Sequence, residues 1–145
     1  MSVVAYDPLL DAAHPAWQLA RNVSLDGVLA LADVVSLHVP LTDATRNMIG
    51  AKQLAAMKPG AILINAARGG VVDEAALAEA LKDGQLGGAA LDVFETEPLS
   101  AEAGAKFAGV ANLILTPHIA GVTEESNVRV SELIADVVLA HLEKA

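Results

Sequence analysis

Three short apolar runs, each reading as a buried strand, end in polar residues, and this repeated pattern constrains the fold of the chain more than any other feature. Ile62-Leu63-Ile64 leads into Asn65-Ala66-Ala67-Arg68-Gly69-Gly70, Ala89-Ala90-Leu91-Asp92-Val93-Phe94 into Glu95-Thr96-Glu97-Pro98, and Leu113-Ile114-Leu115 into Thr116-Pro117-His118-Ile119-Ala120-Gly121. Helix-like stretches lie between such runs along the chain, and this alternation implies βα units around a mainly parallel sheet. The carboxyl ends of the strands in an open parallel sheet share one edge, and ligands bind there. The pattern therefore predicts that Arg68, Glu97 and His118 reach that edge together. A cation, a carboxylate and an imidazole in one place form an acid–base site.

The rest of the chain reads in the same way. Residues 3–6 form a strand closed by Asp7-Pro8, Pro8 and Pro15 bracket a short helix or loop, and residues 22–24 are a weaker strand. A helix over 25–32 precedes a strand over 34–39, stopped by Pro40. Residues 45–57 hold a helix broken by Lys58-Pro59-Gly60. Asp73 N-caps a helix running through Leu81, with Val72 and Leu77 spaced as a hydrophobic staple and Gly84 ending it. Residues 98–109 form the loop most open to variation. Thr123 caps a long final helix with Glu124 and Glu125 on its positive end. There Val130, Leu133, Ile134, Val137 and Val138 recur with the helical period.

Length and composition narrow the classes of function. A chain of 145 residues makes about one domain with a real core. Its 54% hydrophobic content, rich in Ala, Val and Leu, suits strands covered on both faces. The net charge of -9 is spread along the chain, which argues against a duplex nucleic-acid surface. No uncharged stretch approaches the ~20 apolar residues of a membrane helix, and the N-terminus lacks a secretion signal. The sequence has no cysteine, so disulfides and thiolate chemistry are excluded, and a cytoplasmic setting is expected. Neither two His nor a His/Asp pair stands at ligand spacing, so no metal site is expected.

Individual residues carry more specific chemistry. Asp7 stands at a strand end, where an acid can accept hydrogen bonds from adenosine ribose hydroxyls and repel a 2′-phosphate, favouring NAD over NADP. A strand-end Asp is otherwise a plain turn residue. Arg68 precedes two glycines that allow close backbone approach, and its guanidinium suits a carboxylate. Glu97 and Glu95 are rival acids at this level. Histidine as a residue type can exchange a proton near neutral pH, and the small Ala120 and Gly121 beyond His118 leave room for a cofactor. Of the other histidines, His14 sits in a loop and His141 on the polar side of the last helix. His38 suits a core or capping role better than the cleft.

Five motifs taken together are similar to one family. They are Tyr6-Asp7-Pro8, His38-Val39-Pro40-Leu41-Thr42 with Thr45, the stretch from Asn65 to Glu74, the stretch from Gly88 to Pro98, and Thr116-Pro117-His118-Ile119-Ala120-Gly121. In this order and separation they resemble the D-isomer-specific 2-hydroxyacid dehydrogenases, which include phosphoglycerate, glycerate and formate dehydrogenases. The resemblance implies hydride transfer between NAD and C2 of a small 2-hydroxy or 2-oxo acid. It implies a catalytic set of Arg68, Glu97 and His118: His118 moves the proton, Glu97 rather than Glu95 partners it, and Arg68 binds the substrate carboxylate and polarises the carbonyl. Asp7 would hold the ribose, and Val39, Pro40, Thr45, Ala66, Ala67, Arg68, Asp92, His118, Ala120 and Gly121 would line the NAD site. A cytoplasmic homodimer without nucleic-acid or membrane partners is the expected setting.

The chain also departs from that family. Only Met1-Ser2 precede Val3, and no Gly-x-Gly-x-x-Gly occurs in the sequence. The expected fold is thus an α/β, Rossmann-like parallel sheet with helices on both faces, incomplete at its N-terminal βα unit. Residues 1–145 would be a partial dinucleotide-binding domain carrying the Arg/Glu/His residues, without a substrate domain. The absent strand would sit at the sheet centre, so its neighbours must either stand apart or close directly on one another, with each unpaired buried amide costing ~1–3 kcal/mol. The alternative functions are a non-catalytic NAD-binding or dimerisation module, or an inactive dehydrogenase fragment.

Overall fold

The computed structural model describes residues 1–143. In chain order the elements are β1 (Val4–Ala5), a 3-10 turn (Pro15–Gln18), β2 (Arg21–Asn22), α1 (Leu25–Leu31), β3 (Val34–Leu37), α2 (Ala51–Ala56) and β4 (Ala61–Asn65). There follow α3 (Glu74–Lys82), β5 (Leu86–Leu91), α4 (Ala101–Gly104) running into a 3-10 turn (Ala105–Phe107), β6 (Leu113–Leu115) and α5 (Glu124–Leu142). The strands form a four-stranded sheet in the order β3-β4-β5-β6 and a two-stranded sheet β1-β2. Every pairing is parallel. This is the expected α/β, Rossmann-like arrangement, and the two sheets stand apart rather than closing on one another.

Alternation along the strands decides which face is covered. Val35, Leu37, Ala61, Leu63, Leu86, Ala89 and Leu91 are buried, as are Leu29, Leu54 and Leu77 of α1, α2 and α3. These residues share one core, in which α1 packs on α2 and α2 on α3. The opposite face presents Val34, Ile62 and Ile114, which are 51%, 42% and 65% exposed. Helices were expected on both faces; among the described residues the row α1–α3 covers one. The apolar row of α5 (Val130, Leu133, Ile134, Val137 and Val138) is likewise exposed. Its periodicity formed the helix without supplying a neighbour.

The helix ends follow side-chain chemistry. Ser24, Asp73 and Thr123 each accept a backbone N–H of the turn they open, from Gly27, Ala76 and Ser126 respectively. Gly84 takes φ +72° just beyond the last residue of α3, the left-handed turn that glycine adopts without strain.

Three elements differ from the sequence expectation. The helix expected over 45–57 is confined to Ala51–Ala56. Asn47 adopts φ +50°, and Ile49 bridges to Val72, its N–H donating to the Val71 carbonyl and its carbonyl accepting from Asp73 N–H. A fully buried Ile49 held by both backbone groups outweighs local helix propensity there. β3 ends at Leu37 because its partner β4 ends opposite it at Asn65. The loop expected over 98–109 contains α4, capped by Ser100, and is anchored by the buried Phe107.

Leu63 lies fully buried in the middle of β4, so Leu63→Ala should lower stability by about 2–5 kcal/mol in urea unfolding, with an unchanged m value. A loss below about 1 kcal/mol would mean that the central strand is not packed as described.

Candidate active site

The register of three neighbouring strands fixes where the polar loops begin. Leu91 of β5 stands opposite Asn65 of β4 on one side and Leu115 of β6 on the other. The strands therefore end level with each other, at spacings of about 4.8 Å. Arg68 follows Asn65 by three residues and His118 follows Leu115 by three, while Glu97 stands six beyond Leu91. All three expected residues leave the sheet at the same carboxyl edge.

Glu97 and His118 meet directly. The Glu97 Oε2 atom lies 2.8 Å from His118 Nδ1, and Glu97 Oε1 accepts the Phe94 N–H at 2.9 Å. The bond to His118 and the Phe94 N–H hold the Glu97 carboxyl below the usual glutamate range. An ionised Glu97 fixes the imidazole proton on Nδ1 and leaves Nε2 as the nitrogen able to exchange a proton. Glu95, the rival acid, turns elsewhere: its Oε2 lies 3.4 Å from Lys106 Nζ. The pair borders an open, largely apolar recess of about 570 Å³ that Phe94, Leu99 and Leu115 also line.

The turn that presents His118 is strained and built to be so. His118 has φ +57°, a left-handed conformation uncommon for residues with a Cβ. Asp92, 5% exposed, holds the turn from below. Its Oδ1 accepts the Thr116 hydroxyl and the Ile119 N–H, and its Oδ2 accepts the Ala120 N–H. Burial alone would raise the Asp92 carboxyl, but the Thr116 hydroxyl, the two amides and the nearby His118 together bring it below its ordinary value. Asp92 was expected to line the cofactor site; both of its oxygens are engaged with Thr116, Ile119 and Ala120 in this turn.

Arg68 sits in a second recess, of about 280 Å³, with His38, Val39, Pro40 and Ala67. The guanidinium donates from Nη1 to the Ala67 carbonyl at 2.6 Å. The loop is held by Asn65, a buried residue absent from the expected site, whose Nδ2 donates to the Arg68 carbonyl and whose Oδ1 accepts the Ala67 N–H. Its signal in the sequence was the Asn at the end of an apolar run, a residue type that bonds the backbone just ahead of it. A Cβ at Gly69 would overlap the Phe94 carbonyl. Glycine there lets the Arg68 loop press against the segment that carries Glu97.

Of the remaining expected residues, Thr45 and Ala66 stand in the segments after β3 and β4, and Asp7 follows β1 of the separate two-stranded sheet. Asp7 accepts the Leu9 N–H at 2.9 Å through Oδ1, the turn role that a strand-end Asp commonly has. Thr45 donates to the Pro40 carbonyl at 2.7 Å and accepts the Thr42 N–H, so it fixes the loop after β3. Ala66 is exposed beside Arg68, and a Cβ at Gly121 would meet nothing within 4 Å. His38, expected in a core or capping role, is exposed, bonds Ser36 and lines the Arg68 recess.

The lowered Glu97 carboxyl makes a pH prediction. Its folded value lies below its unfolded one, so the stability it contributes is present above the ordinary glutamate value of ~4.3 and is lost as pH falls through the folded value. Urea midpoints measured from about pH 6 to about pH 3 should fall with acidification, and less steeply in Glu97→Gln. Identical slopes in the two proteins would mean that the His118–Glu97 bond does not form in solution.

A sequence model described as D-isomer specific 2-hydroxyacid dehydrogenase, NAD binding domain, matches residues 1–120. The chain is 56% identical over 137 residues to an (S)-sulfolactate dehydrogenase of Chromohalobacter salexigens, covering 94% of this chain and 44% of that protein. It is 50% identical over 121 residues to a glycerate dehydrogenase of Methylorubrum extorquens, covering 83% and 37%. Among solved structures, a D-lactate dehydrogenase from Aquifex aeolicus, complexed with NAD and lactic acid, superimposes with a TM-score of 0.83 at 37% identity, covering 99% of this chain and 47% of that one. The chain therefore spans less than half the length of these relatives. On the match to residues 1–120 and the shared parallel-sheet fold, the chain belongs to the D-isomer-specific 2-hydroxyacid dehydrogenase family.

Proposed function

We propose that this protein serves the NAD-dependent interconversion of a 2-hydroxy acid and its 2-oxo acid, with His118 as the proton donor and acceptor, Glu97 as its partner and Arg68 as the carboxylate-binding cation. The observation that supports this reading best is the 2.8 Å Glu97–His118 pair at the edge that also carries Arg68.

The residues present suit parts of an NAD molecule. Asp7 at the carboxyl end of β1 keeps Oδ2 for a ribose hydroxyl while Oδ1 holds the turn. Val39, Pro40, Thr45, Ala66, Ala67, Ala120 and Gly121 would line the NAD site; Val39, Pro40 and Ala67 border the recess of Arg68, and the space beside Gly121 is open. The sequence contains no Gly-x-Gly-x-x-Gly turn for the pyrophosphate. When bound, the nicotinamide supplies or accepts the hydride at substrate C2. Arg68 orients the substrate carboxylate and stabilises negative charge growing on the carbonyl oxygen. In the reductive direction His118 gives that oxygen a proton from Nε2, and in the oxidative direction it takes one back. Glu97 stabilises the imidazolium and keeps the ring in one tautomer.

A cytoplasmic homodimer completes the proposal. The Cys-free sequence suits the first part, and no described helix is long and apolar enough to cross a membrane. The exposed apolar row of α5 supports the second, and light scattering should give twice the monomer mass; a clean monomer contradicts it. The second reading, a non-catalytic NAD-binding or dimerisation module, draws on the exposed apolar row of α5. Following NADH fluorescence tests the cofactor: micromolar binding is expected, and no binding even at millimolar NADH removes it from the account. In a form that turns over a 2-oxo acid, His118→Ala should lower kcat by ~10²–10⁴ with NADH binding retained. An unchanged rate removes His118 from the chemistry.

A further inference from the structure

Glu74 is only 2% exposed, and nothing in the proposed reaction uses it. A carboxylate in the first turn of α3 could interact with the positive helix end and still remain in water. Burial of the charge is costly unless it is paired and hydrogen-bonded, and here both conditions are met. Glu74 Oε2 lies 2.8 Å from Lys106 Nζ, and Oε1 accepts the Glu95 N–H at 2.6 Å. Glu95 answers with its own carboxylate, on the Glu74 N–H and on Lys106, each at 3.4 Å. Lys106 belongs to the 3-10 turn anchored by Phe107, so the cluster ties α3 to the far side of the 98–109 excursion.

What this cluster grips is the backbone immediately before Glu97. The peptide joining Phe94 and Glu95 has its carbonyl against Gly69 and its N–H on Glu74. The preceding amide, Phe94 N–H, donates to Glu97 Oε1, whose companion Oε2 meets His118. The charged groups acting on Glu97 are His118 and Asp92. An effect of Glu74 on Glu97 must therefore pass through the short backbone between them.

We propose that Glu74, held by Lys106, is a positioning residue for the Glu97–His118 pair: its carboxylate fixes the Glu95 amide, and that fixes the height at which Glu97 meets the imidazole. The role in turnover rests on the reading of that pair as the proton-handling group. The positioning itself is measurable without turnover.

The test is a carboxyl-carbon NMR titration of Glu97 in the chain with labelled glutamate. The parent should titrate below the ordinary glutamate value. Glu74→Ala should raise the Glu97 midpoint by about half a pH unit or more, toward the value in a His118→Gln control. Glu74→Gln, which keeps an oxygen for the Glu95 N–H, should shift it less. An unchanged midpoint in a folded Glu74→Ala protein overturns the proposal. If that variant does not fold, Lys106→Met, which alters a partly exposed side chain, is judged by the same shift; loss of fold in both assigns Glu74 to stability alone and also overturns it. In a form that turns over, Glu74→Ala should lower kcat about tenfold with KM for the oxo acid little changed. Absence of NADH binding in the parent would remove the proposed function, while the Glu97 titration would still decide the coupling.

Discussion

The site depends on one constraint, the level alignment of three parallel strand ends. Because Asn65, Leu91 and Leu115 stand in a row across β4, β5 and β6, the loops that follow start from a common line. Each then carries its polar residue a few positions outward. A slip of one residue in either pairing would exchange the faces of that strand. It would turn Ile62 to the core in place of Leu63, or Ile114 in place of Leu113, and move a loop away from the edge. The ladder and the core beneath it therefore set the geometry on which any chemistry at this edge relies.

On that base, buried polar groups do the finer placement, and the partner groups stay near solvent. Asp92 spends both oxygens on the His118 turn, Asn65 spends its amide on the Arg68 loop, and Glu74 grips the approach to Glu97. Among the described residues no buried side-chain nitrogen or oxygen lacks a partner. Satisfied networks of this kind rigidify a site in a way that exposed pairs cannot. Glu97 and His118, at 36% and 50% side-chain exposure, would gain little from their mutual attraction alone. Their arrangement comes from the loops.

The sequence made the strand ends legible because each combined a buried run with an abrupt polar turn. Arg68, Glu97 and His118 could be placed at one edge from topology alone, and the resemblance singled out Glu97 over Glu95. Asp73 and Thr123 were equally readable, since capping is a local choice. Ile49 was not, because it pairs with Val72 across more than twenty residues of chain. Nor was Glu74, whose burial arises from Lys106, thirty-two positions away. Helices were expected on both faces because the composition is apolar throughout, yet composition cannot say which apolar surface finds a neighbour. The exposed Val34, Ile62 and Ile114 record that difference.

Under the proposed function the Arg68 guanidinium and the His118 imidazole would serve one bound oxo acid, although they line separate recesses. Nitrogen NMR of both side chains, recorded as a 2-oxo acid is added in the presence of NADH, addresses it most directly. Both sets of resonances should move along the same saturation curve. Movement of one without the other, or of neither at millimolar ligand, would contradict a single shared site.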